Sequence, residues 1–216
     1  MHNKEILKLD DTLLYGQGSH KKCFLHPHNK NLCIKIAYNE GGQKDLIREI
    51  NYIDVLKRRH KDYSILPKYF GKVNTNLGTG YVFEIIRDYN NGRTQTLEDF
   101  ITDLNLFSQN YSLIVRLLKE LKEKLYKNEI ITMVLFPENI LFQKTDENTY
   151  RVRIVNDMGS AVLIPLEYHF KYFAHTKILR RWKMFLDVLR NKYASHLSEN
   201  LLKKSNNKTF TKASLI

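Results

Sequence analysis

The sequence predicts an α+β chain in two lobes, strand-rich first and helix-rich second. Strand-like apolar runs between Gly, Pro and Asn turns fill the first third. Apolar residues recur at helical spacing from about Thr96, and the polar stretch from Arg87 to Arg93 parts the two regions. A length of 216 residues suits one domain or two lobes, and 43% hydrophobic residues exclude wholesale disorder. The expected divisions are 1–87, 88–200 and a polar, flexible tail over 201–216.

Taken in order, Lys8 to Tyr15 is mixed apolar and strand-like, and Gly16-Gln17-Gly18-Ser19 is a turn. Lys22 to Leu25 is a short strand, His26 to Asn31 a second turn, and Leu32 to Tyr38 a buried strand. From Gln43 to His60, Leu46, Ile50, Ile53, Val55 and Leu56 fall near a 3.6-residue period, which predicts a helix. Gly78-Thr79-Gly80 punctuates before a strand over Tyr81 to Ile86. Thr96 can cap a short helix, with Asp99 as the acid of a capping box. Ser112 to Lys127 is the clearest helix, with Ile114, Leu117, Leu118, Leu121 and Leu125 on one stripe. Two short strands, Asn139 to Gln143 and Tyr150 to Val155, flank a polar turn. Lys177 to Arg190 then sets Ile178, Leu179, Trp182, Phe185, Leu186 and Leu189 at helical spacing.

Charge narrows the function classes. Lys+Arg number 35 against 23 Asp+Glu, a net charge of +12 that favours anionic partners. From Pro165 onward eleven bases meet three acids. The helix there reads either as a packed element with a solvated basic face or as a face for an acidic partner. Nucleic acid is supported by charge alone, without aromatic and basic residues interleaved on a strand platform. The longest apolar-plus-hydroxyl run, Ile130 to Phe136, is far short of the about 20 residues of a membrane span. The first residues hold no signal-peptide core. Cys23 and Cys33 are too few for a disulfide scaffold and read as core thiols, and His26 and His28 lack a nearby third metal ligand. The expectation is a soluble cytoplasmic protein.

Four separated pieces carry chemistry. Gly16-x-Gly18 between two strands would let backbone N–H groups approach a phosphate, although ordinary hairpins carry the same pattern. Lys35 lies inside an apolar strand, where it must snorkel outward or be paired. Glu49, fourteen residues on, lies beside a helix's apolar stripe and can turn inward to meet Lys35 or stay at the surface. Asn139 in Pro137-Glu138-Asn139-Ile140-Leu141 and Asp157 in Asp157-Met158-Gly159 offer hard oxygens suited to Mg²⁺, and the intervening hairpin can bring them together.

In this order the pieces resemble the protein-kinase-like fold, whose set is a glycine-rich loop, strand lysine, helix glutamate, catalytic-loop Asn and Asp-Phe-Gly. More closely, the chain is similar to the small bacterial YrbL-type family of PhoP regulatory network proteins. The similarity rests on Gly16-x-Gly18-x-His20-Lys21-Lys22-Cys23, Cys33-Ile34-Lys35-Ile36, Arg48-Glu49, Gly78-Thr79-Gly80-Tyr81-Val82, Thr132-Met133 and Asn139-Ile140-Leu141. It implies a small antiparallel-sheet N-lobe and a reduced helical C-lobe. It also implies ATP with Mg²⁺: Gly16 and Gly18 over the phosphates, Lys35 held by Glu49, adenine near Glu84 and Ile86, and metal on Asn139 and Asp157.

The departures bear on chemistry. Lys21 stands at the loop's third glycine, and Val134 stands where the catalytic-loop Asp belongs. The usual proton acceptor is therefore missing, with Asp157 as the candidate left to act in catalysis. No Ala-Pro-Glu follows Gly159, so the usual peptide-docking platform is not expected. The favoured expectation is a regulatory pseudokinase that binds nucleotide. The alternatives are an active atypical kinase or nucleotidyl transferase, and a basic module that binds an acidic partner or nucleic acid without nucleotide.

Overall fold

The computed structural model describes residues 6–162 and 164–193 of this mixed α+β chain. The chain divides between Arg87 and Asp88 into two compact units. The tail over 201–216 lies outside the described residues.

The first unit is a curled six-stranded sheet with one long helix. Strands β1 (Ile6–Leu7), β2 (Leu14–Gln17), β3 (Lys21–His26), β4 (Asn29–Ala37), β5 (Tyr69–Thr75) and β6 (Gly78–Glu84) lie in the order β1-β5-β6-β4-β3-β2. All neighbours are antiparallel except the parallel pair β1–β5. Period-two alternation sends Ile34 and Ile36 of β4 into one cluster with Phe24 and Val82, and Cys33 into another with Leu46, Ile53, Tyr81 and Phe83. Lys35 has the parity of Cys33, so its place in β4 sets it on the face that meets Leu46 and Ile53 of helix α1 (Glu40–Arg58).

Two expectations shift here. Lys8 to Tyr15 is not one strand: Asp10 accepts from the Thr12 N–H and starts a 3₁₀ turn over Asp11–Leu13, so β2 begins only at Leu14. Gly78 to Gly80 lie within β6 rather than before it, because they pair with Thr75, Asn74 and Val73 of β5; at Gly80 a Cβ would sit 2.5 Å from Ile34 Cγ2.

The second unit has a three-stranded antiparallel sheet in the order β7-β8-β9, of Gln95–Thr96, Ile140–Lys144 and Tyr150–Ile154. Helices α2 (Leu97–Thr102) and α3 (Leu104–Lys127) pack on it, and α4 (Lys171–Lys192) packs on α3. Thr96 and Asp99 bond reciprocally as a capping box. Helix α3 begins well before Ser112, because Asp103 caps it by accepting from the N–H groups of Asn105 and Leu106. Helix α4 buries Ala174, Ile178, Trp182, Phe185 and Leu189. Leu179, placed in the apolar stripe by spacing, is instead exposed. Lys177, counted with the outward bases, turns in to pair with Glu167 and donate to Ser160. Among the described residues no helix is long and apolar enough to cross a membrane.

Candidate functional site

In the first unit the site centres on Glu49, whose side chain is completely buried. Its Oε2 lies 3.4 Å from Lys35 Nζ, and its Oε1 lies 3.0 Å from Lys21 Nζ. Burial alone would push the Glu49 carboxyl up, but the two ammonium groups outweigh it and hold it below the usual carboxylate range. Burial likewise works to lower Lys35, yet Glu49 and the neighbouring thiols raise it above an ordinary lysine. Lys35 Nζ also sits 4.7 Å over the centre of the Phe83 ring, a cation–π contact. The cluster is thus a fixed cationic centre rather than a solvated lysine.

Gly16 and Gly18 lie beside it in sequence, at the β2–β3 hairpin. Both are exposed. A Cβ at Gly16 would meet nothing within 4 Å, and one at Gly18 only the Lys21 carbonyl at 3.9 Å. Neither has a positive φ. Backbone conformation and packing therefore do not require glycine at these positions, which leaves open space above the hairpin. Gly42 differs: a Cβ there would fall 2.2 Å from the His20 carbonyl oxygen.

At the end of β6, Glu84 is half-buried and its carboxylate accepts from the Lys68 N–H, while its carbonyl receives the Cys33 thiol at 4.0 Å. Ile86 is buried. The neighbouring Cys23 thiol and then burial push the Cys33 thiol well up. Both cysteines are free thiols.

In the second unit, the β8–β9 hairpin brings Asn139 and Asp157 together. Asn139 Nδ2 donates to Asp157 Oδ2 at 3.0 Å, and Asn156 Nδ2 donates to Asn139 Oδ1 at 3.2 Å. Asn156 and Asp157 both take left-handed backbone, with φ of 63° and 55°, and Gly159 follows at 89°. Such a run is tolerated by Asn, Asp and Gly and points to a functional constraint. The turn is pinned by Met133 N–H on the Asp157 carbonyl and Gly159 N–H on the Ile131 carbonyl. Val134 is half-buried and brings no ionisable group to this segment. Asn139 and Asp157 carry the hard oxygens that suit Mg²⁺ and its preference for few protein ligands. Here, however, the Asn139 amide turns its nitrogen to Asp157 and its Oδ1 to Asn156, so a metal held by both residues would require that amide to turn over. Among the described residues no group of three or more His, Cys, Asp or Glu could hold a metal ion.

The PhoP regulatory network protein YrbL family model matches residues 7–190. The chain belongs to this family. The YrbL proteins of Escherichia coli (strain K12) and Shigella flexneri are each 37% identical over 183 residues, covering 84% of this chain and 87% of theirs. Every candidate residue, from Gly16 to Asp157, lies inside the span matched to the YrbL family. Two residues of the site were missed by sequence reasoning. Lys21 is legible in the sequence as a motif position and a lost glycine but not as a partner of Glu49, because the strand is read to begin only at Lys22. Asn156 left a trace, since Asn-Asp-x-Gly is rich in residues that tolerate left-handed backbone.

Proposed function

We propose that this chain is a kinase-like nucleotide-binding regulator that takes ATP with Mg²⁺ and transfers phosphoryl groups feebly or not at all. The observation that carries the reading is the buried Lys35–Glu49 pair combined with Val134 at the position of the usual catalytic carboxylate. Glu49 would hold Lys35 for the phosphates, the bare backbone at Gly16 and Gly18 would allow their close approach, and the adenine would lie near Glu84 and Ile86. Asn139 and Asp157 would hold the metal, whose chemistry is to neutralise phosphate charge. In this reading the first unit is a small antiparallel-sheet N-lobe and the second a reduced helical C-lobe.

General-base assistance contributes about 10²–10⁴-fold, so turnover should fall far below the ~1–100 per second of active kinases. The test pairs thermal unfolding with a product assay. Mg²⁺-ATP should raise the melting temperature, because a ligand that binds only the folded state stabilises it. Little phosphorylated product should form. Robust transfer of a phosphoryl or nucleotidyl group would mean an active enzyme, with Asp157 in the catalytic role.

A regulatory role agrees with the family description, and helix α4 supports an acidic protein partner. Its outward face sets Arg180 and Lys183 among exposed Tyr172, Phe173, Leu179 and Met184. Charge reversal at Arg180 and Lys183 should weaken such a partner, and the loss should shrink as salt rises.

A further inference from the structure

Glu49 serves two lysines. Lys21, the first residue of β3, follows directly on the Gly18-Ser19-His20 turn and lies opposite Ala37 in register. Its ammonium is closer to Glu49 than that of Lys35, at 3.0 against 3.4 Å, and its side chain is only 16% exposed. Holding a second ammonium this far from water is costly, and one carboxylate supplies one negative charge to two positive groups. A lysine ammonium has three N–H donors, and Lys21 gives one to Glu49 Oε1, so the group can also donate to an anion.

We propose that Lys21 is a second phosphate-contacting residue, so that Glu49 presents Lys21 and Lys35 side by side as a grip for a polyphosphate. The inference rests on the nucleotide reading above and specifies its ligand class, nucleoside di- and triphosphates in preference to monophosphates. Lys21 stands where the resemblance puts a loop glycine, and its carbonyl accepts from the Gly18 N–H at 2.9 Å, which ties its backbone to the hairpin of Gly16 and Gly18. Each added phosphate brings further negative charge within reach of two fixed ammonium groups, which strengthens charge-assisted hydrogen bonds.

The experiment titrates ATP, adenosine and inorganic tripolyphosphate into the full chain and its variants by calorimetry. Lys21→Gln should weaken ATP and tripolyphosphate about tenfold and leave adenosine unchanged. Lys21→Arg should retain most of the affinity. Lys22→Gln, whose place in β3 faces the other side of the sheet opposite Ile36, is the control. Unchanged tripolyphosphate affinity in Lys21→Gln would overturn the proposal, whatever the variant's own stability. Should Lys21→Gln not fold, amine acylation of the wild type decides: tripolyphosphate should slow modification of Lys21, and no slowing overturns the proposal. If tripolyphosphate binds through Lys21 but adenosine adds nothing, the grip stands and the nucleotide reading falls. If neither ligand binds the wild type, both fall.

Discussion

In the first unit the candidate residues are fixed by charge and burial: a carboxylate fully out of water is clamped by two lysines on the sheet face against α1. In the second unit the candidates sit on a half-buried turn, joined by hydrogen bonds and aimed by left-handed backbone. The first arrangement is tied to the fold, because removing one partner strands a buried charge. The second can lose its chemistry with little loss of fold. Stability and ligand binding should therefore separate differently under mutation in the two units.

The largest expected effect is at Glu49. Glu49→Ala leaves two lysines without their shared carboxylate and should cost about 3–5 kcal/mol in denaturant unfolding. A loss under ~1 kcal/mol would mean that the cluster is solvated and would break the comparison. Next come the glycines. Gly42→Ala drives a Cβ into the His20 carbonyl and should cost about 1–3 kcal/mol. Gly16→Ala and Gly18→Ala meet open space and should stay within ~0.5 kcal/mol while weakening nucleotide binding. Equal destabilisation at all three would remove the argument that Gly16 and Gly18 are present for a ligand.

The pH dependence follows from the Glu49 shift. Its folded pKa is depressed, so the pair's contribution is fully present above the ordinary glutamate value of ~4.3 and is lost as pH falls through the folded value. Lys35 is raised, so its contribution is present below ~10.4 and is lost as pH rises past the folded value. Denaturant midpoints between pH 3 and 11 should show both limbs. Lys35→Met should flatten the alkaline limb.

The smallest stability effect belongs to Asp157→Asn, expected within ~1 kcal/mol, since asparagine also tolerates left-handed backbone. The same change should remove the Mg²⁺-dependent part of nucleotide affinity more than binding of nucleotide alone.

The sequence made the Lys35–Glu49 pair legible because a lysine in an apolar strand needs a partner and a glutamate lies beside a helical stripe. Asn139 and Asp157 were legible because a short hairpin closes the distance between them. Lys21 was not, since its pairing depends on the register of β3 against β4 and on where α1 lies over them. Strand β5 went unread because it is half-exposed, broken by Gly71 at φ 117°, and carries few apolar residues. The swap of Lys177 and Leu179 on α4 has a similar origin. Residues at the margin of an apolar stripe turn in or out according to what lies opposite, and Glu167 with Ser160 draws Lys177 inward.

The central claim is that this chain grips a magnesium nucleotide without efficient chemistry. Calorimetric titration of ATP into the wild type, with and without Mg²⁺, tests it most directly, with product measured in the same samples. The account predicts saturable binding that Mg²⁺ strengthens, that Lys35→Met abolishes, and that yields almost no phosphorylated product. No binding at millimolar ATP with Mg²⁺, or turnover of the order of an active kinase, would contradict it.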